Sequence, residues 1–260
     1  MQRIGSSTAT RSAFIADLHL TPEEPTTVTL ATEFIETIAT GCQQLFILGD
    51  LVEYWIGDDA YAGELDEFFH ALARLSQAGN KGCTAYLMHG NRDFLIGEQF
   101  TKANSVQVLP DDAYLLNTGD SDMLLMHGDT LCTDDHEYQS MREVLRSAPW
   151  QQQFLSLSVE ERHNKAQQLR DQSKEATAKK SNDICDVNQQ AVEQTLASAG
   201  VGRLLHGHTH RPARHDFQNK QDKVLERWVL GDWQTDGAIY AMLEDGDLTL
   251  RQWPGNGLMA

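Results

Sequence analysis

Ala13-Phe14-Ile15-Ala16 runs straight into Asp17-Leu18-His19, and four more apolar runs along the chain end in the same abrupt way. Leu45-Phe46-Ile47-Leu48 meets Gly49-Asp50, and Ala85-Tyr86-Leu87-Met88 is followed by Gly90-Asn91. Met123-Leu124-Leu125-Met126 meets His127, and Leu204-Leu205 meets His206-Gly207-His208-Thr209-His210. Short apolar runs with such ends read as strands buried on both faces. In open α/β sheets, ligands gather just beyond the carboxyl ends of the strands. Five strand ends bearing two Asp, one Asn and up to five His therefore describe one site gathered from across the fold. A dinuclear metal centre is the chemistry that fits it.

The intervals between these runs set the architecture. Residues 28–40 repeat Leu30, Phe34, Ile35 and Ile38 at helical spacing, with Gly41 as a stop. Leu65, Phe68, Phe69, Leu72 and Leu75 form a second stripe that ends near Gly79. Strand, helix, strand, helix, strand implies parallel pairing with right-handed crossovers. After residue 105 the runs shorten, at 106–109, 113–117 and 123–126, then at 227–230, 239–243 and 248–250. Turn signals separate them and predict antiparallel strands. A two-sheet α/β sandwich with helices outside fits both halves. The interval 131–200 fits neither rhythm, being polar and helix-rich in composition, with no strong strand.

Composition narrows the function. The chain has 260 residues, a net charge of −17 and a pI near 4.8. That length can bury a sizeable core, as one domain or two. Such a surface repels phosphate backbones and disfavours general nucleic-acid binding, so only a local positive feature could draw in an anionic substrate. The cysteines at 42, 83, 132 and 185 are scattered, which argues against a zinc-thiolate site or a disulfide framework and for a reducing cytoplasm. The first ten residues lack a signal peptide's apolar stretch, and no run reaches the roughly 20 apolar residues of a membrane span. A cytoplasmic protein able to touch a membrane surface is expected. Residues 142–180 hold eight Lys/Arg against five acids, a local +3 where the rest of the chain carries −20. The contrast suggests contact with something anionic, although a solvated helical hairpin has the same composition.

Two hard divalent cations about 3.5–4 Å apart need a shared carboxylate and mixed oxygen and nitrogen ligands. Asp50 is the candidate bridge, placed after a glycine that lets the chain turn. Asp17 and His19 are two apart and would share a side on extended backbone, and His208 and His210 repeat that spacing. Asn91 and His127 complete the ligand set of the second metal. Two carboxylates against two divalent cations leave net positive charge, so a bridging water would lose a proton near neutral pH and become the nucleophile. The oxygen-rich, thiolate-free set suits Mn²⁺, two per chain, better than a structural zinc. A lone D-x-H reads as a satisfied loop pair and a lone H-G-H-T-H as an exposed turn. All five segments in order, each after an apolar strand, displace those readings. His70, His136, His163 and His215 lack such context and read as surface residues, whereas His206 reads as a packing or orienting neighbour.

In this order, Asp17-Leu18-His19, Gly49-Asp50, Gly90-Asn91, His127-Gly128 and Gly207-His208-Thr209-His210 resemble the calcineurin-like metallophosphoesterases. The resemblance implies phosphoester or pyrophosphate hydrolysis. Many members carry a His after the motif Asn, able to protonate an alkoxide. Here Arg92 stands there, and arginine cannot give up a proton but neutralises oxygens with a planar fork. That exchange suits a pyrophosphate; the alternative is that Arg92 is a supporting strut. Further blocks resemble the UDP-2,3-diacylglucosamine pyrophosphatase family of lipid A biosynthesis over nearly the whole chain. They include Trp55-Ile56-Gly57-Asp58-Asp59, residues 126–135, Ser173-Lys174-Glu175-Ala176, Asp186-Val187-Asn188-Gln189 and His208-Thr209-His210-Arg211-Pro212.

The resemblance implies attack on the α-phosphorus of a UDP-linked diacylglucosamine, giving UMP and a diacylglucosamine 1-phosphate. It implies a core of residues 11–130 and 201–255, a helical cap of residues 131–200 over the sugar and acyl chains, and peripheral work on the cytoplasmic side of the inner membrane. Residues 1–10 form an N-terminal extension to which no role attaches. Substrate contacts are implied at Asn91, Arg92, Asp135, Ser173, Lys180 and His208, and at Thr177, where Asn is usual for the family. Within the cap interval, Tyr138, Met141, Val144 and Leu145 form a helical stripe, and Trp150, Phe154, Leu155 and Leu157 continue it. Facing the core they are ordinary packing; facing a cleft they line it for acyl chains. Two rivals predict different behaviour: a generic dinuclear phosphoesterase turning over soluble nucleotides or phosphodiesters, and an inactive binding scaffold. A scaffold would be expected to lose ligands, and here every expected position is filled.

Overall fold

Alternate residues of each apolar run point to opposite faces, and both faces are covered, so the runs become the strands of two packed sheets. The computed structural model describes residues 1–4, 11–76, 82–119, 121–178, 184, 186–220 and 222–255. In the first sheet β2 (Arg11–Ile15), β3 (Gln44–Ile47), β4 (Thr84–Met88) and β5 (Val106–Leu109) run parallel. They are joined by α1 (Pro25–Thr37), α2 (Asp66–Leu75) and α3 (Glu98–Asn104). The hairpin of β11 (Ala238–Glu244) and β12 (Asp247–Trp253) extends the sheet antiparallel beside β2. In the second sheet β1 (Gln2–Ile4) lies parallel to β6 (Ala113–Asn117), which pairs antiparallel with β7 (Asp122–Met126). Next come β8 (Arg203–His206), parallel to β7, then β10 (Val224–Val229), parallel to β8, and β9 (Ala213–Gln218) at the edge, antiparallel to β10.

The packing follows the period of two. Phe14 and Phe46 face the second sheet, whereas Ala13, Ile15, Leu45 and Ile47 face α1 and α2. Register aligns Phe14 with Phe46 and Phe46 with Tyr86, and the rings stack at 5.1 and 4.8 Å. This aromatic row meets Leu116, Met123, Leu125 and Leu205 of the other sheet. Each buried ring of this kind contributes roughly 1.5–3 kcal/mol. On the far side of the second sheet, Val192 and Leu196 of α7 (Gln189–Ala199) pack on Leu124 and Leu204. Three further helices, α4 (His136–Arg146), α5 (Ala148–Leu155) and α6 (Val159–Ala178), lie between β7 and α7 in the chain. Among the described residues, no helix is long and apolar enough to cross a membrane.

Several expectations need correction. Residues 106–109 do not pair antiparallel: β5 lies parallel to β4, because the short polar helix α3 supplies a crossover that periodicity does not announce. Residues 227–230 overlap β10, which is parallel to β8 on one side and antiparallel to β9 only on the other. β9 itself is a half-exposed edge strand, Ala-Arg-His-Asp-Phe-Gln, with no apolar alternation to betray it. The first helix begins at Pro25 rather than residue 28, since proline's fixed φ suits the first helical turn. The second ends at Leu75, and Gly79 lies outside the described residues.

Candidate metal centre and cleft

All five apolar strands end on one edge of the sandwich, since β2, β3 and β4 are parallel neighbours and so are β7 and β8. The residues beyond those ends do not continue as extended chain. Asp17, His19, Asp50, His208 and His210 have φ of 54, 48, 53, 66 and 55°, five of the eight non-glycine positive-φ residues among those described. The expectation that Asp17/His19 and His208/His210 share a side because the backbone is extended is therefore wrong. The left-handed turns do the aiming instead. Such backbone costs on the order of 1–3 kcal/mol per residue and persists where the surroundings over-determine it, commonly at functional sites.

Glycines allow the loops to close on one another. A Cβ on Gly90 would lie 2.1 Å from Asp50 Oδ1, one on Gly49 2.5 Å from His127 Nδ1, and one on Gly207 2.4 Å from Asp17 Oδ2. The closed loops bring Asp17, His19 and His210 together, and Asp17, Asp50 and His127, each set with its ligand atoms within 4.8 Å of one another. Asp50 faces both halves: Oδ2 is 3.8 Å from His19 Nε2, and Oδ1 is 3.9 Å from His127 Nε2. Asn91 Oδ1 lies 3.0 Å from His127 Nε2 and 3.0 Å from His208 Nδ1. The seven residues proposed from sequence as ligands thus converge.

The donor set fits a divalent metal. His127 Nδ1–H donates to Leu48 O at 2.8 Å, which turns its Nε2 toward Asn91 Oδ1. His19 and His210 turn Nδ1 toward Glu53 (3.1 Å) and Asp232 (3.5 Å), leaving their Nε2 atoms facing each other at 3.4 Å. Asp17 Oδ1 is buried with no hydrogen-bond partner. Acceptors aimed at one another across a few ångströms, with an orphaned carboxylate oxygen between them, are the arrangement a cation satisfies. Burial disfavours the charged form of His210, yet the carboxylates of Asp17 and Asp232 outweigh it and push its pKa up to about 10. Burial and the neighbouring His127 push His208 down to about 4.

Four buried or half-buried acids that sequence reasoning passed over support this geometry. Asp93 accepts from the Leu51 and Gly90 amides, both at 2.7 Å, and ties two ligand loops together; burial, then Asp50, pushes it up to about 6. Asp129 accepts from Tyr138 and Arg142 of α4. Glu53 and Asp232 orient the two imidazoles. Asp232 carried the same signal as the others, because Trp228-Val229-Leu230 ends in Gly231-Asp232, a sixth apolar run with a ligand-type end. His206, as expected, is buried and packs behind the site, with Nδ1 2.8 Å from Gly207 O. His70, His136, His163 and His215 are exposed.

A cleft opens beside the centre, between the strand-end loops and α4–α6. Asn91, Arg92 and Ser173 line it, with Tyr138, Met141, Leu145, Trp150, Phe154 and Leu169 forming an apolar wall. Arg92 is anchored through its amide, which donates to Asp50 Oδ1 at 2.8 Å, while its buried Nε has no protein partner. Arg146 donates to Gly90 O at 2.8 Å and lies 5.0 Å above the Phe94 ring, fastening α4 to the Asn91 loop. Val144 and Leu155 take neither of the roles open to them: they are 55% and 42% exposed. Asp135 caps α4, its Oδ1 accepting from the Tyr138 amide at 3.0 Å. Lys180 lies outside the described residues, as do the side chains of Lys174 and Thr177.

Ligands gathered at the strand ends of a two-sheet sandwich define a metallophosphoesterase, and residues 10–212 match the family model of the calcineurin-like phosphoesterases. Curated relatives narrow the class. A UDP-2,3-diacylglucosamine hydrolase of Chromohalobacter salexigens is 43% identical, over 89% of this chain and 92% of its own. The enzymes of that name from Tolumonas auensis and Escherichia coli O6:H1 are 41% and 42% identical, over 94% and 93% of this chain and 97% and 98% of theirs. The chain belongs to this hydrolase family within the calcineurin-like phosphoesterases. Membership implies a divalent metal, in keeping with the donor set.

Proposed function

We propose that the protein hydrolyses the pyrophosphate of UDP-2,3-diacylglucosamine, adding water at the α-phosphorus and releasing UMP and 2,3-diacylglucosamine 1-phosphate in lipid A biosynthesis. One observation carries the reading beyond the family: the cleft that opens onto Asn91 and Arg92 is walled by apolar side chains, as a diacyl substrate requires and a soluble nucleotide does not.

Asp17, His19, His210 and Asp50 would hold one Mn²⁺, and Asp50, Asn91, His127 and His208 a second. When bound, the pair lowers the pKa of a coordinated water toward neutrality and draws charge from the phosphoryl oxygens. Arg92 neutralises the pyrophosphate oxygens, its amide fixed by Asp50 and its Nε without a protein partner. Residues 131–200 act as the cap. Within them α4–α6 cover the sugar and acyl chains, with Ser173 and Asp135 on the substrate side, while α7 braces the second sheet. Apolar cap residues that stay exposed suit peripheral contact with the cytoplasmic face of the inner membrane.

The direct test is UMP release from UDP-2,3-diacylglucosamine with Mn²⁺, alongside a soluble diester and an Asp50→Ala control. Mn²⁺-dependent release that the variant loses supports the proposal. Turnover of the diester alone would keep the metal chemistry and discard the lipid substrate.

A further inference from the structure

Glu53 has two partners from different parts of the molecule. Its Oε2 lies 3.1 Å from His19 Nδ1, an ion-pair approach not aligned as a hydrogen bond, and its Oε1 accepts from Arg170 Nη2 at 2.5 Å. Arg170 belongs to α6, and its guanidinium carbon sits 5.1 Å from the ring centroid of Tyr54, the residue after Glu53. The Glu53 and Arg170 side chains are each 18% exposed, so the pair is shielded from bulk water without being sealed off.

An imidazole that offers one nitrogen to a cation commonly donates from the other to a carboxylate, which fixes its tautomer and ring plane. Glu53 supplies that carboxylate to His19 and leaves Nε2 facing Asp50 and His210. Its remaining oxygen is held by a cap helix. Asp232 makes the equivalent approach to His210, but its other hydrogen-bonding side chain is Gln234, two residues along the same loop. The two imidazoles are thus oriented alike, and only one orienting carboxylate reaches the cap.

We infer that Glu53 is a positioning residue that joins the seating of α6 to the readiness of His19 to take a metal. Seating α6 holds Glu53, which holds His19. A cation at His19 Nε2 fixes the imidazole and steadies Glu53 and Arg170 in turn. Thermodynamic linkage makes the two effects equal in size.

This inference rests on the metal centre proposed above and not on the substrate, so it is tested without substrate. Mn²⁺ affinity of the full chain is measured by calorimetry, and backbone hydrogen exchange of α6 is followed with and without Mn²⁺. Mn²⁺ is expected to slow α6 exchange in the wild type. Glu53→Gln should weaken Mn²⁺ binding by about 10-fold, the low end for the partner of a ligating imidazole, and remove the slowing. Arg170→Met, which cannot touch the ion, should weaken Mn²⁺ binding by about 5-fold, the low end of coupling between sites. Asp232→Asn should weaken Mn²⁺ binding and leave the slowing intact. Wild-type Mn²⁺ affinity in Arg170→Met, or α6 exchange indifferent to Mn²⁺ in the wild type, overturns the linkage alone. A wild-type protein that takes up no Mn²⁺ overturns the metal centre with it.

Discussion

The strand-end loops and the helices α4–α6 face each other across one cleft, and they are built on opposite principles. In the loops almost every residue is constrained twice. Asp50 must present two oxygens in two directions while its backbone holds a φ of 53°, and Gly90 must be glycine because Asp50 Oδ1 would be 2.1 Å from any Cβ. In α4–α6 the constraint is sparse. A few long side chains, Arg142, Arg146, Arg162 and Arg170, reach down to fixed acceptors, and between them lies a wall defined by size and apolarity. The loops specify chemistry, and the helices specify what is admitted to it. Substitutions in the loops should therefore act on turnover of every substrate, and those in the helices, at saturating Mn²⁺, only on the lipid.

The largest effect belongs to the bridge position. Asp50→Ala removes the carboxylate that turns one oxygen toward His19 and the other toward His127, and kcat on lipid and on a soluble diester should fall together by at least about 10³-fold, the upper scale for one preorganised electrostatic group. A loss confined to the lipid would break the division of labour. Arg92→Ala comes next. Its half-buried side chain has an Nε without a protein partner and lines the cleft beside Asn91. Losing one such donor costs on the order of 10²-fold in kcat, read from saturation kinetics at full Mn²⁺. A loss below threefold would make Arg92 a strut.

The same contrast explains what could be read from the sequence. Asp17, His19, Asp50, Asn91, His127, His208 and His210 were legible because metal chemistry permits few residue types and strands announce their own ends. Their left-handed backbone was not, since a two-residue spacing reports nothing about φ, and the extended-chain argument reached the right residues by the wrong geometry. Asp232 obeyed the signal and was passed over because its run, Trp228-Val229-Leu230, stood in a stretch read as antiparallel strands. α3 and β9 were hidden by polar sequences whose burial is set by neighbours and not by their own pattern. In the cap interval, periodicity indicated helices and a supply of apolar residues. Which of them face the cleft depends on how α4–α6 dock, and so Val144 and Leu155, part of the same apparent stripe, turn out exposed.

Docking can be weakened without touching the loops. Arg162 is 2% exposed and donates to Ile56 O at 2.6 Å and to both Asp59 oxygens, pinning α6 roughly 12 Å along the helix from Arg170. Arg162→Met keeps volume and loses the pins while leaving the Arg170–Glu53 contact in place. At saturating Mn²⁺ the KM for the lipid should rise about 10-fold, a loss of some 1.4 kcal/mol in substrate holding, with diester turnover unchanged. An equal loss on both substrates would mean that the helices and the loops are one unit throughout.

The smallest expected effect tests the outer face of the cap. Val144, Leu155 and Val159 are 55%, 42% and 44% exposed, near the start and end of the helices that wall the cleft, and they contribute nothing to its lining. Surface substitutions of this kind change stability by no more than about 0.5 kcal/mol, so Val144→Ser should leave the melting temperature and diester turnover where they are. If this face meets the bilayer, each lost methyl group that was buried there weakens partition by about 0.8 kcal/mol, or roughly three- to fourfold per methyl in flotation with vesicles containing anionic lipid. Because the effect depends on the membrane and not on the fold, it should vanish with detergent-dispersed substrate. Equal flotation of variant and wild type would assign the exposed valine to ordinary surface and move the membrane contact elsewhere on the molecule.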